Sequence, residues 1–305
     1  MEKQRGHIVI AGSVNMDVSL SVDRIPAPGE TVLATSMRVS GGGKAGNQAV
    51  AAARLGGRVA LLARLGKDAY AERLQANFRS AGIDLSGLSV DPEAPTGQAY
   101  IAVAASGENN IIVVPGANRR LLPDTVDAAE TVLHGASFVS VQLETPLDTV
   151  QRLAALCRRL RIPLALNPSP AMELPEDLLA AVSLLILNEH ELVLLAGRAD
   201  EDTMLKRLLA LGIETVVLTK GGAGAVLAHA DRMDRFPARR VDVVDTTGAG
   251  DTFTGGLLVA LAEGKPLAEA IEFAQAAAAI QVTRPGAQDA VPSRDEVDRL
   301  LGSVR

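Results

Sequence analysis

The sequence predicts an α/β protein, with a largely parallel central sheet, helices on both faces and a small β-sheet lid. Three observations carry this expectation. Runs such as His7-Ile8-Val9-Ile10-Ala11-Gly12 are apolar at nearly every position, as strands buried on both faces require. Between residues 138 and 218 such runs alternate with helix-spaced stretches, and right-handed crossovers of that kind build one parallel sheet. Around residues 14–40 and 96–116 the strands instead alternate apolar with polar side chains, which suits a small appended sheet.

Composition narrows the partners. In 305 residues, 48% are apolar and 22% charged, enough to bury a substantial core. A net charge of −6 without a Lys/Arg-rich run offers nothing to nucleic acid or an anionic membrane surface, so small molecules are the expected partners. Cys157 is the single cysteine and lies in an apolar helix-like run, which excludes a disulfide framework and fits a reducing cytoplasm. Residues 1–6 lead into a strand rather than a signal-peptide core, and no long apolar run lacks a break; a cytoplasmic protein is expected. One domain over residues 1–305 is expected, since neither a repeat nor a linker is visible.

Taken in order, the first strand ends before Asn15 and Asp17, polar residues in a position that suits either ligand binding or simple turn chemistry. Residues 19–22 and 31–34 read as exposed strands around the turn Pro26-Ala27-Pro28-Gly29-Glu30. The loop Gly41-Gly42-Gly43-Lys44-Ala45-Gly46-Asn47-Gln48 precedes a helix over 49–56 and matches G-x-G-x-x-G. The strand at 59–63 ends at Arg64, however, without the acid a dinucleotide site needs. What remains is a loop whose backbone a ligand can approach, with Lys44 and Asn47 as donors. A helix is expected over 68–81 and a hairpin over 97–104 and 110–114. A strand follows at 138–141, a helix at 147–160, then strands at 164–166, 184–187 and 215–218. Glu144, Asn167, Asn188, Glu189, Thr219 and Lys220 all fall at strand ends, so one edge of the sheet gathers the chemistry. Thr219-Lys220-Gly221-Gly222-Ala223-Gly224 suits either a nucleotide cradle or a hairpin turn into a strand at 225–228. Two helices, ending near 264 and 282, and a last helix capped by Ser293 with Glu296 complete the chain.

The most informative stretch is Asp245-Thr246-Thr247-Gly248-Ala249-Gly250-Asp251, which runs into an apolar helix. A glycine turn opening a helix leaves backbone N–H groups unpaired beside the positive end of the helix dipole, which favours a phosphate. Asp251 in that turn places a carboxylate within reach of whatever attacks the phosphorus, although a plain helix cap is the competing reading. No G-x-x-x-x-G-K-[ST] loop, metal-ligand histidine spacing or G-x-S-x-G elbow occurs.

Together with Gly12-Ser13-Val14-Asn15-Met16-Asp17, Pro28-Gly29-Glu30-Thr31, Gly42-Gly43-Lys44 through Asn47-Gln48-Ala49, and Leu187-Asn188-Glu189, this stretch gives the chain a resemblance to the ribokinase-like sugar and nucleoside kinase family. The resemblance covers essentially the whole chain, including Val282-Thr283-Arg284-Pro285-Gly286-Ala287-Gln288. It implies ATP-dependent phosphorylation of the primary hydroxyl of a small furanose, D-ribose foremost. Alternatives are 2-deoxyribose, fructose or a nucleoside, the last disfavoured by an aromatic content of 2%, and, from another class, a sensor without turnover. By the same resemblance Asp251 would take the hydroxyl proton, while the amides of Thr247, Gly248, Ala249 and Gly250 hold the phosphoryl charge. Asn15, Asp17, Gly43, Lys44, Asn47 and Glu144 would hold the sugar, and Asn188, Thr219, Gly221, Gly222, Gly224, Gly250 and Gln275 would line the ATP site, with Mg²⁺ on the phosphates. A monovalent cation, K⁺ first, would sit on backbone oxygens near Asp245, Thr247, Gln281, Arg284 and Gly286, and a homodimer would form through the lid strands. Two departures stand out. Ala45 and Gly46 are exchanged relative to the family's pattern, which costs about 1 kcal/mol or moves the loop if position 45 needs positive φ. Ala290 replaces a hydroxyl residue beside the cation.

Overall fold

The computed structural model describes residues 6–230 and 232–302; the reading of residues 1–5 lies outside them. The chain opens with β1 (His7–Ala11), β2 (Asn15–Val22) and β3 (Ala34–Gly42), then α1 (Lys44–Arg54), β4 (Val59–Leu65), α2 (Ala69–Ser80), β5 (Leu88–Val90), β6 (Gly97–Ala104) and β7 (Asn109–Val114). It continues through α3 (Pro123–Ala128), β8 (Ala136–Val141), α4 (Leu147–Leu160), β9 (Leu164–Leu166), α5 (Glu176–Leu179), β10 (Leu184–Asn188), α6 (Glu189–Ala196) and α7 (Glu201–Ala210). Last come β11 (Thr215–Thr219), β12 (Ala225–His229), β13 (Arg232–Phe236), α8 (Ala249–Ala262), α9 (Leu267–Gln281) and α10 (Arg294–Gly302).

Nine strands form the central sheet in the order β13-β12-β11-β10-β9-β8-β1-β4-β5. All neighbours pair parallel except β11 with β12 and β12 with β13. The continuous apolar runs follow from this: Ile8 and Ile10 enter the core on one face and Val9 and Ala11 the core on the other. The first core packs α1, α2, α8, α9 and α10 through residues such as Leu55, Phe78, Leu257, Phe273 and Val297; the second packs α3 to α7. Cys157 is buried there, and burial pushes its thiol up to about 12, so it is packing rather than a nucleophile. A separate four-stranded sheet, β3-β2-β6-β7, carries the alternating strands. The fold class is the expected one.

Several boundaries differ from expectation, each for a physical reason. Residues 31–33 are not a strand; β3 begins at Ala34 and runs through Met37, Arg38 and Val39, because in an appended sheet a polar strand keeps one face wet. Asn15 and Asp17 belong to β2 rather than to a turn. Helix α1 starts at Lys44, five residues before the apolar run that announces it. Gly43, at φ +79°, makes the break, and small residues at 45 and 46 fit the crowded first turn. Ala45 is therefore helical and fully buried, and the strain considered for it does not arise. Thr219–Gly224 is a hairpin turn between antiparallel β11 and β12, with Gly221 and Gly224 at positive φ.

Candidate active site

Helix α8 begins where Gly248 adopts φ +75°, a conformation that turns the chain sharply into the helix. Of the amides in this turn, Thr247 N–H donates to Asp245 Oδ1 at 2.9 Å and Ala249 N–H to Thr246 O at 3.2 Å. Those of Gly248, Gly250 and Asp251 have no protein acceptor among the described residues. The free donors of this turn are thus Gly248, Gly250 and Asp251, while Thr247 and Ala249 are spent on shaping it. Nothing lies within 4 Å of where a Cβ on Gly250 would stand, so the backbone is bare there.

Asp251 sits in the first turn of α8 and is only 8% exposed. Asn47 Nδ2 donates to its Oδ2 at 3.0 Å and Gln48 Nε2 to its Oδ1 at 3.2 Å, both from the first turns of α1. Burial raises its pKa above the usual carboxylate value, opposed by the Lys44 charge and these two donors. Gln48 is itself fully buried and fixed, its Oε1 accepting from Ser140 Oγ at 3.0 Å and Gln142 Nε2 at 2.7 Å. Gln48 stands in the glycine-loop motif but the sequence gives it no role; only the α1–α8 contact places its amide on Asp251.

On the lid side, Asn15 is buried and its Oδ1 accepts from Asn118 Nδ2 at 2.8 Å. Glu144 accepts from Ser13 Oγ at 2.5 Å, and the Lys44 backbone donates to the same hydroxyl at 3.0 Å. Asp17 Oδ1 is buried without a partner. Burial first, then the Glu144 and Asp251 charges, push its pKa up to about 7. Gly43 permits the close approach, since a Cβ there would lie 2.7 Å from Asn15 N. An orphaned carboxylate oxygen beside Asn15, Lys44 and Glu144 is a site built to accept hydroxyl donors.

Beyond Asp251 a cavity of about 180 Å³ is lined by Lys44, Asn167, Asn188, Glu191, Thr219, Thr246, Gly248, Gly250, Asp251 and Thr254, among others. Asn188 caps α6 in a capping box with Glu191, whose carboxyl burial raises in pKa. Glu191, three residues beyond Asn188, carries no motif of its own in the sequence; the capping-box spacing is the available signal. Gly221, Gly222 and Gly224 do not line the cavity: the first two are exposed, and Gly224 abuts Phe236. Gln275 does not line the cavity; its Nε2 donates to Phe236 O at 3.2 Å, near Gly224. At the base of the turn, Asp245 accepts from Thr247 Oγ1 at 2.6 Å and from Gly286 N at 2.8 Å, and the Arg284 side chain pairs with Glu296. Among the described residues no cluster of His, Cys, Asp and Glu suits a metal ion, and no helix is long and apolar enough to cross a membrane.

A buried carboxylate at a glycine-opened helix start, with a polar set from a lid sheet on one side of it and a cavity on the other, describes a phosphotransferase acting on a polyol. Residues 5–294 match the model of the pfkB family of carbohydrate kinases, and the chain belongs to this family of ATP-dependent carbohydrate kinases. Its relatives sharpen the likeness. Over 302 residues it is 38% identical to the ribokinase of Haemophilus influenzae, covering 97% of this chain and 99% of that protein. The structure of the ribokinase of Thermotoga maritima superposes with a TM-score of 0.91 at 36% identity, covering 97% and 99% of the two chains. That of Arabidopsis thaliana ribokinase complexed with ribose and ATP does so with 0.92 at 31%, covering 98% and 99%.

Proposed function

We propose that this chain transfers the γ-phosphoryl group of ATP to the primary hydroxyl of D-ribose, giving ribose 5-phosphate and ADP. The observation that carries the reading is Asp251, buried between two amide donors beside the free N–H groups of Gly248 and Gly250. In this mechanism Asp251 accepts the hydroxyl proton as the sugar oxygen bonds to phosphorus. The bond from phosphorus to the β-phosphate oxygen breaks, and ADP leaves. The donors from Asn47 and Gln48 and the Lys44 charge favour the ionised form of Asp251 against the burial that raises its pKa. The Gly248 and Gly250 amides take the charge that builds on the transferring group, where preorganised dipoles are most effective.

Asp17 and Glu144 would accept sugar hydroxyls, and Asn15, Lys44 and Asn47 would donate to sugar oxygens, with Gly43 leaving the backbone open. Asn188, Thr219, Gly221, Gly222 and Gly224 would line the nucleotide cleft, with Gln275 at its far rim. Glu191 and Asn188 on the cavity wall fit a Mg²⁺ ion that is held mainly by phosphates and water, and such an ion neutralises phosphate charge. The monovalent cation is left out of this mechanism, because N–H donors already occupy the Thr247, Gln281 and Gly286 backbone oxygens that it would use. The reading treats the chain as one domain, with a lid from about 14–40 and 96–116 that covers the sugar, and as a homodimer through exposed lid residues such as Met37, Ile111 and Ile112.

The test is ADP release with ATP and Mg²⁺, offering D-ribose, 2-deoxyribose, fructose and adenosine, with Asp251→Asn as the blank. Turnover led by ribose supports the proposal; turnover led by another acceptor keeps the transfer chemistry and overturns the sugar.

A further inference from the structure

Three backbone carbonyls behind the Gly248 turn converge on one side chain. Gln281 Nε2 lies 3.0 Å from Thr247 O, 3.0 Å from Gly286 O and 2.9 Å from Ala287 O. The residue is fully buried on the last turn of α9, and its Oε1 lies 3.3 Å from the Thr252 hydroxyl in the first turn of α8. Its own backbone oxygen accepts from Arg284 N at 3.1 Å, and Asp245 is engaged by Thr247 and Gly286. Of the five backbone oxygens that the family resemblance offers to a monovalent cation, those of Thr247, Gln281 and Gly286 are therefore taken by N–H donors, and the Asp245 carboxylate beside them is engaged as well. A cation there would face the two amide hydrogens of Gln281 and would have to expel the side chain, after which its buried amide would lose three acceptors. The residues present do not fit the ion.

We infer that the Gln281 carboxamide does within the chain what a monovalent cation would do from outside. It ties the 247 carbonyl to those of 286 and 287 and so holds the Gly248 and Gly250 amides at their working position. Gln281 is a positioning residue, since it reaches the reaction only through this turn, and turnover is independent of K⁺. The inference rests on the kinase reading above.

The experiment compares kcat, KM and melting temperature in chloride salts of K⁺, Na⁺ and tetramethylammonium at equal ionic strength. It uses the full chain and its Gln281→Ala and Gln281→Met variants. For the unaltered protein, kcat is expected to vary by less than about twofold among salts, because only general screening changes. In tetramethylammonium both variants are expected to lose about 10-fold or more in kcat with little change in the sugar KM, as a displaced anion hole acts on the transition state. K⁺ restores the Gln281→Ala variant, where space is opened, and fails with Gln281→Met, where the side chain fills it. K⁺ also raises the melting temperature of the Gln281→Ala variant alone. Severalfold K⁺ stimulation or K⁺ stabilisation of the unaltered protein overturns the inference, as does a Gln281→Ala variant fully active in every salt. Should no acceptor turn over at all, the kinase reading fails, and the melting series then decides the clamp by the same rule. Should Gln281→Ala not fold, the salt response of the unaltered protein and of Gln281→Met decides it.

Discussion

Asp251 and Asp17 are two buried carboxylates in one cleft with different environments, and each gives a prediction. Asp251 accepts two side-chain hydrogen bonds and feels the Lys44 charge. Asp251→Asn should lower kcat by at least ~10² while leaving ATP and sugar affinity near the parent value, measured by calorimetry and initial rates. Unchanged turnover would remove Asp251 as the base. Asp17 has an oxygen without a partner, and its ordinary value of 3.8 is pushed up to about 7. Between those values the folded protein holds a proton that the unfolded chain has released. The ligand-free protein therefore loses stability as pH rises from about 4 to about 7, then levels off. Asp17→Asn should melt at least about 4 °C above the parent at pH 8, coincide with it near pH 4, and bind sugar more weakly. A variant that melts at or below the parent at pH 8 would mean that the buried charge costs nothing.

At the scale of elements, the donors on Asp251 depend on how α8 lies against α1. Gly255 on α8 faces α1 so closely that a Cβ would stand 2.9 Å from Ala51 Cβ, Ala52 N and Gln48 O. Gly255→Ala should destabilise the fold by about 1–3 kcal/mol through overpacking, read in urea unfolding. Because α1 carries Asn47 and Gln48 to Asp251, kcat should fall as well; full stability would show that the helices can separate without strain. Element types were largely legible: the helices at 147–160 and 267–281 and the strands of the central sheet announce themselves by period and apolar runs. The start of α1 was not, because Gly42-Gly43-Lys44-Ala45-Gly46 reads as loop when propensity is summed, and only packing against β1 and α8 makes it helical. Helices α6 and α7 were passed over, although Asn188 and Asp200 cap them.

Across the whole molecule, the lid sheet is the part whose sequence and surroundings disagree most. All six residues of β7 are exposed at the edge of that sheet, and Ile111, Ile112 and Met37 are 55, 69 and 66% exposed. A bare edge with that much apolar surface seeks a partner, and a second copy offers the same edge. Light scattering should give twice the chain mass, and Ile112→Glu should shift it to the monomer; a monomeric parent would remove the dimer from the proposal.

Periodicity, glycine punctuation and the position of Asp251 determined the inner strands of the sheet, the longest helices and the end of the sheet where chemistry gathers, because burial on two faces and unpaired helix-start amides are local, one-dimensional signals. What surrounds Asp251 was decided by the tertiary structure alone. Gln48 and Asn47 reach it across more than 200 positions of chain, Asp17 is raised by burial and then by Glu144 from the loop after β8, and Gln281 fills a place whose oxygens come from two separate loops. Local sequence carries propensity, whereas a charge, a donor or a clamp exists only where distant segments meet.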